Sequence, residues 1–246
     1  MRFYARSFFT STMTLACCLL MATAAYADTI VLTPSQDNTI YEDNTSNSNG
    51  AGDFIFAGNN GFSSPRRSLI QFDLSAIPTG AIINSATVTL NLNQTGSGPS
   101  DVSFHRLTSA WGESNSDATG GEGGGTAAEN GDATWANTFF ADQFWTNAGG
   151  DFISTASSTT NLESLGTHDW TGLAADVQGF LDGDFDNFGW ILIGDELAAG
   201  SSSNRFNSSN SAANGPSLAI EFTTIPEPSS TCLLVAFSTM LFRRKR

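Results

Sequence analysis

Lysine is almost missing from this sequence. Its 246 residues hold one, Lys245, and nine arginines, against 24 aspartates and glutamates, for a formal net charge of −14. Six of those ten cations sit at the ends: Arg2, Arg6, Arg243, Arg244, Lys245 and Arg246. Residues 28–226 keep only Arg66, Arg67, Arg106 and Arg205 against 23 acids, a net charge of −19. A nucleic-acid partner is excluded, because binding needs cations that displace counterions from phosphates. Such a surface stays soluble and repels other polyanions. Binding an anionic polysaccharide would require a bridging cation or a local cluster of arginines.

Cysteine is equally scarce. Cys17, Cys18 and Cys232 all lie outside residues 28–226, so no disulfide staples that body. An exported domain without disulfides is held by its core or by metal ions. At roughly 200 residues the core suffices. Catalytic signatures are missing too. No G-x-S-x-G elbow and no H-E-x-x-H pair occurs, and the two histidines, His105 and His168, stand alone. The run "SNSDATGGEGGGTAAENGDATW" (114–135) lacks the Gly-Lys-Ser/Thr ending of a phosphate loop. It reads as a long flexible surface loop.

The two ends read as delivery devices. Arg2 and Arg6 precede an apolar run from Met13 to Met21, and Ala25-Tyr26-Ala27 is an A-x-A site. That pattern is a secretory signal peptide over residues 1–27, cleaved after Ala27. At the other end Pro226-Glu227-Pro228 precedes a short apolar segment and four basic residues. The apolar segment would halt in the membrane and the basic cluster stay on the cytoplasmic side.

Between them, residues 28–224 read as short strands separated by Ser, Asn, Gly and Asp. "TIVL", "FIF", "RRSLIQFDL", "AIINSATVTLNLN", "VSFHRL", "DFIST", "GWILIG" and "SLAIEF" are strand candidates. In the fourth, Ile83, Val88, Leu90 and Leu92 fall largely at period two. "TGLAADVQGFLDG" predicts the one helix, with Thr171 as N-cap, Leu173, Val177, Phe180 and Leu181 on one face, and Gly183 as its end. The expected fold is all-β, a jelly-roll-like antiparallel β-sandwich with one short helix.

Oxygen-rich and aromatic positions are the candidate sites. "QDNTIYEDNTSNSNGAGD" places Asp37, Glu42 and Asp43 around a short strand, the candidate seat for structural calcium. "LDGDFDNFGW" alternates Asp182, Asp184 and Asp186 but fails the EF-hand pattern at Asn187 and Ile193, and reads as a solvated loop. Sugars stack on exposed aromatic rings. Trp170 and Trp190 sit in core-like patterns, whereas Trp111, Trp135 and Trp145 lie beside loops and are the candidate carbohydrate contacts. Against that reading, large aromatics are usually mostly buried.

Residues 225–246 resemble the PEP-CTERM sorting signal: Pro-Glu-Pro, a hydrophobic segment and a basic cluster, paired with an N-terminal leader. The resemblance implies processing by an exosortase-type transpeptidase, transient membrane insertion through the C-terminal segment, and a cell-surface or secreted location in a Gram-negative bacterium. The body is similar to the DNRLRE domain family through "DNTIYED", "RRSLIQFDLSAIPTGAIINSATVTLNL", "LTSAWGE", "DNFGWILI" and "RFNSSNSAANGPSLAIEF". That resemblance implies a sandwich found beside polysaccharide-active enzymes, with some members classed as carbohydrate-binding modules. It further implies that Arg66 or Arg67 pairs with a carboxylate. The expected function is a non-enzymatic surface or biofilm-matrix protein that binds extracellular polysaccharide. The rival readings are an acidic matrix or coat protein stabilised by calcium, and a polysaccharide lyase or hydrolase.

Overall fold

The structure is a computed structural model that describes residues 27–96 and 98–224. Strands carry most of the regular structure of the described chain. They run in order as β1 (Ala27–Leu32), β2 (Pro34–Tyr41), β3 (Asn47–Ser48), β4 (Phe54–Asn59) and β5 (Pro65–Phe72). There follow β6 (Ile82–Thr95), β7 (Ser100–Arg106), β8 (Thr126–Ala127), β9 (Asn137–Phe139) and β10 (Gln143–Phe144). The last are β11 (Ser158–Leu162), β12 (Gly166–Trp170), β13 (Trp190–Ile193), β14 (Asn204–Asn207) and β15 (Ser217–Thr223). One α-helix (Ala174–Asp182) sits between β12 and β13.

All pairings are antiparallel, and the main sheet curls on itself into a sandwich-like fold. One layer orders β1, β15, β6 and β14, with β12 also on β6. The other orders β5, β13, β7 and β11, with β2 also on β5. Strand β4 belongs to both, because it pairs with β14 over Phe54–Ala57 and with β5 at Gly58 and Asn59. Gly58 makes that corner at φ 109°, where a Cβ would stand 2.5 Å from the Ser202 carbonyl. Only glycine adopts that backbone without strain.

The period-two pattern of β6 is interrupted for a visible reason. Ile83 and Ala86 both face the core although they are three residues apart. A register shift between Glu221 and Phe222 of β15 absorbs the extra residue. Such a bulge leaves one residue unpaired and restores the inward face beyond it. Ala86, Val88, Leu90 and Leu92 then alternate cleanly.

Trp170, Trp190, Phe104, Phe72 and Phe206 fill the space between the layers. Phe104 meets Trp170 edge-on at 5.4 Å between ring centroids. Both buried indoles find acceptors, Trp170 at Val102 O and Trp190 at Asp176 Oδ2, each at 2.7 Å. The helix lays Leu173 and Val177 on this core, with Phe180 and Leu181 partly covered. Its N-cap is Leu173, without a side-chain cap bond, so Thr171 does not serve as expected. Gly183 closes it in the left-handed conformation.

A second apolar cluster lies on the other side of β5 and β13. Leu69 and Ile191 point away from the main core and pack with Ile40, Leu107, Trp111, Ala133, Trp135 and Trp145. The segment from Leu107 to Phe152 therefore covers the outer face of this layer, and its strands are buried on both sides. "DFIST" is not a strand: Phe152 makes only an isolated bridge to Leu107. The expected leader, the C-terminal segment and Pro226, Glu227 and Pro228 lie outside the described residues, apart from Ala27. That residue is exposed at the start of β1, opposite Thr223. Among the described residues no helix is long and apolar enough to cross a membrane.

Candidate functional site

The three tryptophans expected to greet a sugar are interior residues. Trp111, Trp135 and Trp145 are 3%, 8% and 5% exposed. Trp111 Nε1 donates to Phe188 O at 2.9 Å and Trp145 Nε1 to Thr134 O at 2.8 Å. Arg67 covers the Trp135 ring at 4.8 Å while holding both Glu196 oxygens at 2.7 and 2.8 Å. No ring face is left for stacking. The error has a physical origin: proximity to loops in sequence placed these residues at the surface, but their own loops form the lid of a second core.

The proposed calcium ligands also separate. Asp37 lies mid-strand and fully buried, whereas Glu42 and Asp43 follow the end of β2 and are exposed. Extended chain rises about 3.3 Å per residue, which carries them well away from Asp37. Asp43 instead bonds Arg66 Nη2 at 3.2 Å. Among the described residues no group of three or more His, Cys, Asp or Glu converges on a point that could hold a metal ion.

The glycine-rich run is tied down rather than free. Glu122, at φ 61°, turns its carboxylate inward to accept Asn49 Nδ2 and the Phe54 N–H, both at 2.9 Å. Its carbonyl accepts the buried Tyr41 hydroxyl at 3.1 Å. The next carbonyl, Gly123 O, accepts Arg66 Nε at 2.6 Å. These bonds press the loop against the corner made by β4 and β5.

An open cleft of about 380 Å³ forms where that loop meets β4, β6 and β14. Two of the four arginines line it, Arg66 and Arg205, with Phe56, Asn60, Gln94 and Ser203. Arg66 is spent on Gly123 O, Ser64 O and Asp43. Arg205 is different. It stacks over Phe54 at 4.0 Å and anchors Nε on Asn93 Oδ1 at 2.6 Å, which leaves its two terminal nitrogens without a partner among the described residues. Beside the cleft, Phe62 and Leu197 stand 92% and 97% exposed on neighbouring loops that Gly200 N and Ser63 Oγ join at 3.3 Å. An exposed ring on the loop at the cleft edge offers stacking, and the held guanidinium inside the cleft offers hydrogen bonding. Neither Phe62 nor Arg205 was singled out from sequence, because nothing local marks them.

A second depression of about 470 Å³ holds His105 with Asp101 and Asp195. His105 Nδ1 lies 3.0 Å from Ile153 O and His168 Nε2 lies 2.7 Å from Ser164 O, so each ring is oriented by backbone. The two histidines occupy different strands, β7 and β12.

Elsewhere the half-buried Glu113 reaches the main chain of the fully buried Asp37. The Asp37 N–H donates to Glu113 Oε2 at 2.7 Å. Burial pushes the Asp37 carboxyl up to about 6, against the pull of its bond from Ser209. Burial, and after it the charge of Asp37, push Glu113 up to about 8.

A model of carbohydrate-binding module family 96 matches residues 28–117. The match runs from β1 through Trp111 and takes in Arg66, Phe62 and one wall of the arginine cleft, while Arg205 lies beyond it. No curated protein matches the chain.

Proposed function

We propose that this protein is a non-enzymatic polysaccharide-binding module that works outside the cell. The observation that carries the reading is the cleft with an unspent guanidinium at Arg205, walled by residues of the segment that resembles a carbohydrate-binding module. Carbohydrate recognition combines a flat apolar contact with a few fixed polar groups, and Phe62, Leu197 and Arg205 supply both. In a body whose surface is otherwise anionic, this is where a saccharide carrying acceptor oxygens or carboxylates meets least repulsion. The leader and the C-terminal Pro-Glu-Pro segment support delivery through the inner membrane and release or anchoring by an exosortase-type transpeptidase, so that the polysaccharide would be met outside the cell.

Affinity electrophoresis through gels cast with extracellular polysaccharides tests the reading. The parent protein is retarded by at least one of them. Arg205→Ala and Phe62→Ala each lose most of the retardation while melting within a few degrees of the parent, because neither side chain lies in the core. Retardation that survives both substitutions moves the contact away from this cleft. A parent that ignores every tested polysaccharide removes the function itself.

A further inference from the structure

We infer that Asp37 and Glu113 hold a divalent, oxygen-seeking cation of the calcium type, where β2 meets the loops that follow Trp111 and Asn207. Several observations carry this.

Asp37 is fully buried, and its Oδ1 has no hydrogen-bond partner. Its other oxygen accepts the Ser209 N–H at 2.7 Å, so the carboxylate is oriented rather than loose. Its immediate neighbour is a second acid, Glu113, fixed through the Asp37 N–H. A third, Asp132, stands behind Glu113 and adds negative charge. Both Asp132 oxygens already accept main-chain N–H groups, from Ser114 at 2.7 Å and Glu129 at 2.8 Å. It is therefore a background charge and not a ligand.

No protein cation answers this charge among the described residues. Arg66, Arg67 and Arg106 pair with Asp43, Glu196 and Asp176, and Arg205 sits on Asn93 and Phe54. A buried carboxylate without a counterion, with a second acid bonded to its own main chain, is unfavourable while both are ionised. Calcium resolves it, because it accepts a mixed shell of carboxylates, main-chain carbonyls and water. Two carboxylates completed by carbonyls and water fit the lack of any three-acid cluster. Bound there, the ion would join β2 to the 112–114 and 208–210 loops.

The test uses the whole purified protein, stripped with a chelator and then titrated with calcium chloride. Thermal unfolding and terbium luminescence sensitised by the nearby Trp111 report binding. At a hundredfold excess over Kd the melting temperature rises by about 5–10 °C. Glu113→Gln and Asp37→Asn each weaken binding at least tenfold, while Glu42→Gln, on the exposed end of the same segment, leaves it unchanged. Should Asp37→Asn fail to fold, the partly exposed Glu113→Gln decides. The inference is overturned if stripped protein shows no shift with calcium, magnesium or manganese. It is overturned equally if Glu113→Gln binds as tightly as the parent, or if Glu42→Gln removes the site.

Discussion

Trp111→Ala separates an interior tryptophan from a sugar-binding one. The side chain is 3% exposed and packs with Leu69 and Ile191 on the outer face of β5 and β13, while its indole N–H satisfies Phe188 O. Truncating a buried tryptophan costs about 3–5 kcal/mol, through lost transfer energy and the cavity left behind. A domain of this size holds roughly 5–15 kcal/mol in all. At about 2–4 °C per kcal/mol, the melting temperature falls by roughly 6–20 °C. Trp111→Phe keeps most of the apolar contact and loses the donor, at about 1–3 kcal/mol. Circular dichroism during heating reads both, and the order parent, Phe, Ala is the expected one. If Trp111→Ala melts within about 2 °C of the parent yet no longer binds polysaccharide, the burial argument is wrong and the ring works at the surface.

Two further outcomes follow from the backbone and from one carboxylate. Gly58→Ala forces φ 109° on an L-residue and drives its Cβ against Ser202 O, so the guanidinium midpoint falls by an amount equivalent to about 1–3 kcal/mol; an unchanged midpoint would show that the corner between layers relaxes freely. Asp151 is the pH test: burial raises its pKa, but N–H bonds from Thr146 and Asn147 at 2.8 and 2.9 Å together outweigh burial and hold it below the usual 3.8. A depressed carboxyl lends stability that is complete above its unfolded pKa and lost as pH falls through the folded one. The parent therefore loses stability below about pH 4, and Asp151→Asn flattens that acid limb; an equally steep limb in the variant would assign it to other acids.

Much of the sandwich was legible because strand patterning is local. Alternation in "ATVTLNLN" and "SLIQF" follows from side chains pointing to opposite faces, and it marks β6 and β5 whatever they pair with. The helix showed itself through Leu173 and Val177 on one face and Gly183 at its end. Only the "TIY" end of β2 was legible as a short strand, because "PSQDN" before it is polar. It is a strand because β5 offers it a ladder from Pro34 to Tyr41 and the 107–152 segment buries its polar side chains.

What the sequence settled by itself is the anionic, cysteine-free, strand-forming character of the body, because composition and period-two spacing need no partners. What only the tertiary structure decided is exposure. Trp111, Trp135 and Trp145 go inward because a distant layer supplies Leu69 and Ile191 to receive them. Arg205 and Arg66 are brought to one cleft, and Glu113 to the main chain of Asp37, across stretches of chain that carry no local trace of the meeting. Burial and charge proximity are properties of pairs far apart in sequence, and a linear pattern contains only one member of each pair at a time.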